Sequence, residues 1–344
     1  MSTPVFKGRN TGLDVLKYAL SFLVICIHMP YPFHEYTEPV FRLAIPLFAL
    51  ITGYYYEDTV RTGKTIPQIR KIAILFVVSL LVYYLWDLVG YFRAGLPVSS
   101  YLGYYLSLSS VAKLLVFNAP MTGGHLWYLG ALLYSLILLW MADRLHVREK
   151  LYPLIPILLL IHLFLGTYSA VLFHRRLPVL LTRNHLFFIL PFLLLGDWLR
   201  KRSTFPSNRC LWITVAGSVV CILLEAAFLR STAPEFNQEF FIGTTFLSCS
   251  IFLLVLGNPH WFQGNVFSLF AVLGRRTSTI VYIIHYFVMG LAETLILQSA
   301  AKYPLLPTAY GRFGPWIVLV LATAIAWLIT APAFSFRKPI QKNT

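Results

Sequence analysis

Charge is what this chain holds least of. Asp, Glu, Lys and Arg together make up 12% of its 344 residues, about half the share of an ordinary soluble domain. Such a chain cannot cover itself with polar surface in water. That excludes a water-soluble globular protein and leaves lipid as the solvent. Acidic residues are scarcer still, with 13 Asp and Glu against 28 Lys and Arg and a formal net charge of +15. The excess raises nucleic acid as a partner, but no soluble basic domain or arm is present to bind it. Cysteines number four, and Cys26, Cys210, Cys221 and Cys249 all lie in or at the ends of apolar runs without a C-x-x-C pair. A disulfide framework and a zinc site are both disfavoured, and no metal is expected. Phosphate-loop, G-x-S-x-G, H-E-x-x-H and dinucleotide fingerprints are absent.

What the chain has instead is long apolar runs: 58% of its residues are hydrophobic and its mean hydropathy is +0.71. At roughly 20 apolar residues per crossing, the sequence predicts an all-α, polytopic transmembrane bundle of about ten spans. They fall near 12–31, 39–56, 71–91, 125–142, 151–170, 185–199, 210–229, 240–257, 277–297 and 313–333. The runs are continuously apolar rather than alternating, which favours helices over barrel strands. Residues 1–344 read as a single multi-pass domain with no separate soluble one. Lys7 and Arg9 precede the first run as in a signal peptide, yet no A-x-A-like cleavage site follows, so the first run is expected to persist as a helix.

Most Lys and Arg fall in one set of loops, among them Lys7, Arg9, Arg70, Lys71, Arg148, Arg200, Lys201, Arg275, Arg276, Arg337, Lys338 and Lys342. The bias puts both termini in the cytoplasm, and an even number of spans agrees. Arg175, Arg176 and Arg183 crowd one outer loop against that trend. The stretch 107–117 is too short to cross and reads as an interfacial or re-entrant helix. No inverted repeat of the kind common in secondary transporters is visible. Nothing in the sequence fixes an oligomeric state.

Ionisable groups at membrane depth are costly unless they face a cavity or a partner. The first run, LDVLKYALSFLVICIH, holds Asp14, Lys17 and His28. Lys17 and His28 are eleven positions apart, three helical turns, so they share a face about 16 Å apart along the axis. Each has a plain reading, Lys17 as a snorkelling cation paired with Asp14 and His28 as an interfacial histidine. Together they suit a long ligand with an anionic head and a reactive tip, imidazole being the side chain that best moves a proton near neutral pH. Three further stretches stand out. In GGHLWYLGAL, two glycines precede His125, beside Trp127 and Tyr128, which read plainly as interfacial anchors. In IPLFALITGYYY, Thr52 and Gly53 precede Tyr54–Tyr56, whose plain reading is again an aromatic belt. In GRRTSTIVYIIHYF, Arg275 and Arg276 lead into a run with Tyr282 and His285. Asp87, Glu225, Glu293 and His162 read as packing or local pairing.

These four stretches, in this order, resemble the membrane-bound acyltransferase 3 family, which includes O-acetyltransferases of bacterial surface polysaccharides. GLDVLKYALSFLVICIH is similar to that family's opening helix, a basic residue followed eleven positions later by histidine. IPLFALITGYYY looks like its P-x-F run ending in Ser-Gly-Tyr or Ser-Gly-Phe, GGHLWYLGALL like its His-x-Trp-x-Leu segment, and GRRTSTIVYIIHYF like its late segment ending in Ile-Tyr-x-x-His. The likeness runs from near residue 12 to near 287. Where the family usually has Arg, this chain has Lys17, a point charge without Arg's bidentate fork. Thr52 stands for the family's Ser and keeps the hydroxyl.

The resemblance implies an integral enzyme of the cell inner membrane that transfers acyl groups other than amino-acyl groups. The expected co-substrate is cytoplasmic acetyl-CoA or another acyl-CoA, without a metal. The expected acceptor is a hydroxyl of a surface or lipid-linked glycan, as in polysaccharide O-acetylation. Lys17, Arg70, Lys71, Arg275 and Arg276 would take the donor's phosphates. His28 would act as general base or carry the acyl group, with His125 the second catalytic candidate and Asp14, Thr52, Tyr282 and His285 in support. A rival class is a transporter or flippase of a glycan-linked substrate. A signalling or scaffold protein ranks behind both.

Overall fold

The computed structural model describes residues 10–335. Lys7, Arg9, Arg337, Lys338 and Lys342, used above for orientation, lie outside the described residues. Among those residues the structure is helix and turn with no strand, as the continuous apolar runs imply. In chain order the helices are α1 (Thr11–His28), α2 (His34–Phe41), α3 (Ala44–Tyr54), α4 (Tyr56–Arg61), α5 (Thr65–Arg93), α6 (Val98–Tyr105), α7 (Leu108–Phe117) and α8 (Trp127–Arg144). They continue with α9 (Leu154–His162), α10 (Ser169–Leu172), α11 (Leu190–Arg200), α12 (Asn208–Thr232), α13 (Ile242–Gly257), α14 (Asn265–Ser299) and α15 (Leu306–Ser335).

Six stretches among the described residues are long and apolar enough to cross a membrane: Thr11–His28, Thr65–Arg93, Gly124–Arg144, Asn208–Thr232, Asn265–Ser299 and Leu306–Ala331. Leu154–Thr167 and Ile242–Gly257 are apolar but shorter. The run expected at 39–56 is broken into α2 and α3. Pro46 explains the break. It has no N–H for the carbonyl of Arg42 and its ring crowds that carbonyl, so a fresh helix starts at Ala44 with Pro46 in its first turn. The run expected from 277 instead begins at Asn265, so Arg275 and Arg276 lie inside α14 rather than in a loop before it. Helix α7 is a separate ten-residue helix, capped by the side chain of Ser107.

The helices divide into two compact units, residues 10–44 with 254–335 and residues 45–253. In the first unit, α1, α14 and α15 pack around Ile25, Met29, Val281, Val288, Val318, Leu319, Ala322 and Ala326. Asn10 starts α1 by accepting a hydrogen bond from Leu13 N at 3.2 Å, and its amide donates to the carbonyl of Leu256. Gly274 of α14 lies against the backbone of α1, where any Cβ would run into the carbonyl of Asp14. Lipid offers no hydrophobic drive between helices, so such small-residue contacts and the dispersion they permit hold the pair.

In the second unit, α8 runs mostly buried, with Ala131, Ser135, Leu136 and Leu139 fully enclosed. Helices α3 and α11 cross on a pair of glycines: a Cβ on Gly53 would meet the backbone of Leu193, and one on Gly196 the carbonyl of Leu50. Glu225 of α12 accepts from Tyr168 Oη and from the backbone N–H of Ile242, both at 2.9 Å, and so caps the start of α13. The outer faces are apolar. Val77, Val78, Leu81, Val82 and Leu85 of α5 and Ile213, Leu224 and Phe228 of α12 are all exposed. Faces this extensive belong against lipid tails rather than water.

Candidate active site

The first unit carries a stripe along α1. Asp14, Lys17, Ser21, Val24 and His28 recur every three or four residues on one uninterrupted helix, so their side chains share a face. Ser21 and Val24, between the two ends, are buried, so the stripe faces protein rather than lipid. At its near end, Lys17 Nζ pairs with Asp14 Oδ1 at 3.4 Å and keeps 27% of its side chain accessible. Paired with Asp14 and partly accessible, this ammonium is within reach of an anion.

At the far end, His28 meets α14. Its Nδ1 lies 2.9 Å from the hydroxyl of Tyr286. The ring of His28 stacks on His285 with centroids 5.5 Å apart, and Tyr286 stands edge-on to both, at 4.8 and 5.0 Å. His285 is wholly buried, and its Nδ1 lies 2.6 Å from the carbonyl of Tyr282 one turn earlier. A carbonyl only accepts, so that nitrogen carries the proton. In a neutral ring the lone pair then falls on Nε2. Two imidazoles thus stand in ring contact at the end of a span, one half-buried and one fully enclosed with its tautomer fixed by the backbone, and imidazole is a group able to move a proton near neutral pH. Charged donor candidates lie further along α14. Arg276 donates to Thr330 Oγ1 at 2.8 Å and to the carbonyl of Trp327, and stacks over that indole at 3.7 Å. Arg275 beside it is exposed.

The remaining sequence candidates lie in the second unit. His125 sits in a turn of 3₁₀ helix, Gly124–Leu126, ahead of α8, and is 97% enclosed, 3% of its surface remaining accessible. Tyr83 of α5 meets it edge-on at 5.1 Å. Gly123 adopts φ +54°, and a Cβ there would come within 2.9 Å of the Tyr83 ring. The first glycine of the pair is therefore required by backbone and by space. Thr52 Oγ1 is turned back onto the carbonyl of Phe48 at 2.9 Å, and Gly53 is explained by the crossing with α11. Arg70 and Lys71 are exposed near the start of α5, where with Ile66, Pro67, Ile74 and Leu75 they line a groove of about 480 Å³.

Two plain readings of the aromatic residues are corrected. Tyr54 and Tyr56 are buried rather than belt residues. Tyr54 Oη accepts from Arg200 at 3.1 Å, and Arg148 lies 5.5 Å over the ring of Tyr56. Trp127 and Tyr128 are likewise enclosed, Trp127 stacking on Phe188 at 5.8 Å with Arg183 over its ring. Neighbouring guanidinium groups and rings draw these side chains inward. In the crowded outer loop, Arg183 pairs with Glu239 at 3.4 Å and Arg176 donates to Asn237 Oδ1 at 2.6 Å.

Sequence reasoning missed two groups. One is Tyr286, whose hydroxyl can only be assigned to His28 once α1 and α14 are paired; its position next to His285 is the signal that was available. The other is an ion network in the second unit. Arg148, counted above as a loop cation, is largely buried and pairs with Glu57, with Asp143 at 3.1 Å and with the fully enclosed Asp197 at 3.4 Å. Burial works against its charge, but Asp197, Glu57 and Asp143 outweigh that and raise its pKa above the usual value. Tyr152 donates to Asp197 at 2.7 Å, Arg200 holds Asp58, and Lys201 reaches Glu149 at 2.5 Å. No group of three or more potential metal ligands exists among the described residues.

No solved structure matches the chain. Two curated relatives do. A serine/alanine racemase of Enterococcus gallinarum is 27% identical over 274 residues, covering 73% of this chain and 38% of the relative. An amino-acid racemase of Enterococcus faecalis is 23% identical over 363 residues, covering 94% of this chain and 46% of the relative. The chain thus spans less than half the length of each. The model of the acyltransferase domain family matches residues 10–333, so this multi-pass membrane protein belongs to that acyltransferase family.

Proposed function

We propose that the protein moves an acyl group, acetyl in the first instance, from a cytoplasmic acyl-CoA to a hydroxyl of a surface or lipid-linked glycan. In this reading it is a polytopic protein of the cell inner membrane, crossing about ten times with both ends in the cytoplasm. The observation that supports the reading best is the stripe on α1, a half-open ammonium at Lys17 and the His28–His285 pair about 16 Å further along the same helix. Lys17 would hold a donor phosphate with Arg275 as the exposed cation of α14, and Asp14 would keep the ammonium in place. The reactive thioester would then lie toward His28. As general base, His28 would take the acceptor's hydroxyl proton while that oxygen attacks the thioester carbon and the thiolate leaves. As a carrier, the imidazole would itself take and pass on the acyl group. Tyr282 would support through its carbonyl. His125, Thr52, Arg70 and Lys71 stand as candidates within their own unit, the two cations for a donor phosphate.

The relatives' racemase names describe proteins of which this chain matches 38% and 46%, and no racemase step is carried over. The test is CoA release from acetyl-CoA by membranes containing the wild type or His28→Ala at matched protein level. The expected result is a loss of at least roughly 100-fold. Near wild-type release by the variant removes His28 from the mechanism. A wild type that releases no CoA turns the reading toward glycan transport.

A further inference from the structure

Tyr286 follows directly after His285 on α14, yet its hydroxyl reaches across to the first helix and lies 2.9 Å from His28 Nδ1, 258 residues away in sequence. Its neighbour's Nδ1 is committed to the carbonyl of Tyr282, so the two imidazoles share one feature: each presents Nδ1 to an oxygen of α14. The ring of Tyr286 is 37% exposed, so it fills no part of the core that a phenylalanine could not fill equally. The oxygen is what distinguishes it.

We infer that Tyr286 is a positioning residue for His28: its phenolic oxygen accepts the Nδ1–H of His28, fixing the ring's rotation and leaving the Nε2 lone pair as the base. The inference rests on the acyl-transfer reading for its chemistry, but the contact stands on geometry alone. In the step it serves, the acceptor's O–H bond breaks and its proton passes to His28 Nε2. The oxygen forms a bond to the thioester carbon, the C–S bond breaks, and the departing thiolate takes the proton from Nε2. Nδ1 keeps its proton throughout, and the imidazolium formed midway is held by the phenolic oxygen. A fixed orienting partner for the base is the logic of catalytic triads, met here with a neutral oxygen in the third place. The buried imidazole of His285 stacks behind His28 and limits its tilt.

Two measurements decide it. The first is steady-state CoA release from acetyl-CoA by the purified full chain and by Tyr286→Phe. The expected outcome is a kcat lower by roughly 10- to 100-fold with KM for acetyl-CoA within about twofold; a kcat within twofold of wild type overturns the assignment. The second is ¹⁵N spectroscopy of histidine-labelled protein in lipid, with His28 identified by its loss in His28→Gln. Neutral His28 is expected to carry its proton on Nδ1 in the wild type and to mix tautomers in Tyr286→Phe. A wild-type His28 protonated on Nε2 overturns the assignment whatever the kinetics give. A wild type that releases no CoA overturns the transfer reading and the step built on it, while the spectrum still decides the contact.

Discussion

The two units place their charged and titratable groups in opposite ways. In the first, the imidazoles of His28 and His285 stand beside a phenol and a carbonyl, neutral oxygens that orient a ring without fixing its charge. In the second, Arg148 is clamped among Glu57, Asp143 and Asp197, so that losing the guanidinium would leave three carboxylates without it. Buried ion clusters of that kind are costly to break yet add little over an apolar core. An oriented imidazole pair adds nothing obvious to stability and can pass a proton. The first arrangement suits turnover and the second suits holding neighbouring segments in register.

The most forceful way to break this comparison is Arg148→Ala. It leaves Asp197 enclosed without its cation, a cost of about 3–5 kcal/mol, and folded protein in membranes is expected to fall sharply. His28→Ala should leave that level unchanged while abolishing CoA release. If Arg148→Ala instead accumulates normally and only turnover is lost, the division of roles fails. Next in size is Gly53→Val, which drives a side chain into the backbone of Leu193 and is expected to cost about 1–3 kcal/mol. Thermal unfolding in detergent should show a lower midpoint, and an unchanged midpoint would mean that α3 and α11 do not meet as described. The smallest effect concerns Glu149, whose pKa is lowered by the hydrogen bond from Lys201. A lowered carboxylate contributes stability above its unfolded value and loses it as pH falls through the folded one. Glu149→Gln should therefore leave the melting midpoint at pH 7 nearly unchanged, and reduce the loss on acidification only below roughly pH 4. A large shift at neutral pH would show that this exposed pair does more than a surface ion pair should.

Much of the first unit's site could be read from the chain, because eleven residues on one helix fix a shared face whatever surrounds it. Lys17, His28 and Asp14 needed only that periodicity. His285 was visible as a histidine in an apolar run, but its ring contact with His28 was not, since nothing local pairs α1 with α14. The second unit was less legible. Arg148 looked like a loop cation because its three partners come from separate stretches of chain. Tyr54, Tyr56, Trp127 and Tyr128 looked like interfacial aromatics because composition cannot tell a buried ring from a belt ring. The helix break at Pro46 was missed for another reason: hydropathy averages over a proline that backbone geometry does not forgive.

By itself the sequence determined the solvent and the all-helical class. Few charges and long apolar runs require lipid, and backbone groups in lipid must bond within a helix or a closed barrel. It also set the spacing of Lys17 and His28, a property of one rod. That the hydroxyl of Tyr286 stands beside His28, that Glu57 and Asp197 close on Arg148, and where two helices come close enough to need Gly274 or Gly53 were decided only by tertiary packing. Those contacts join residues far apart in the chain, and no local period records them.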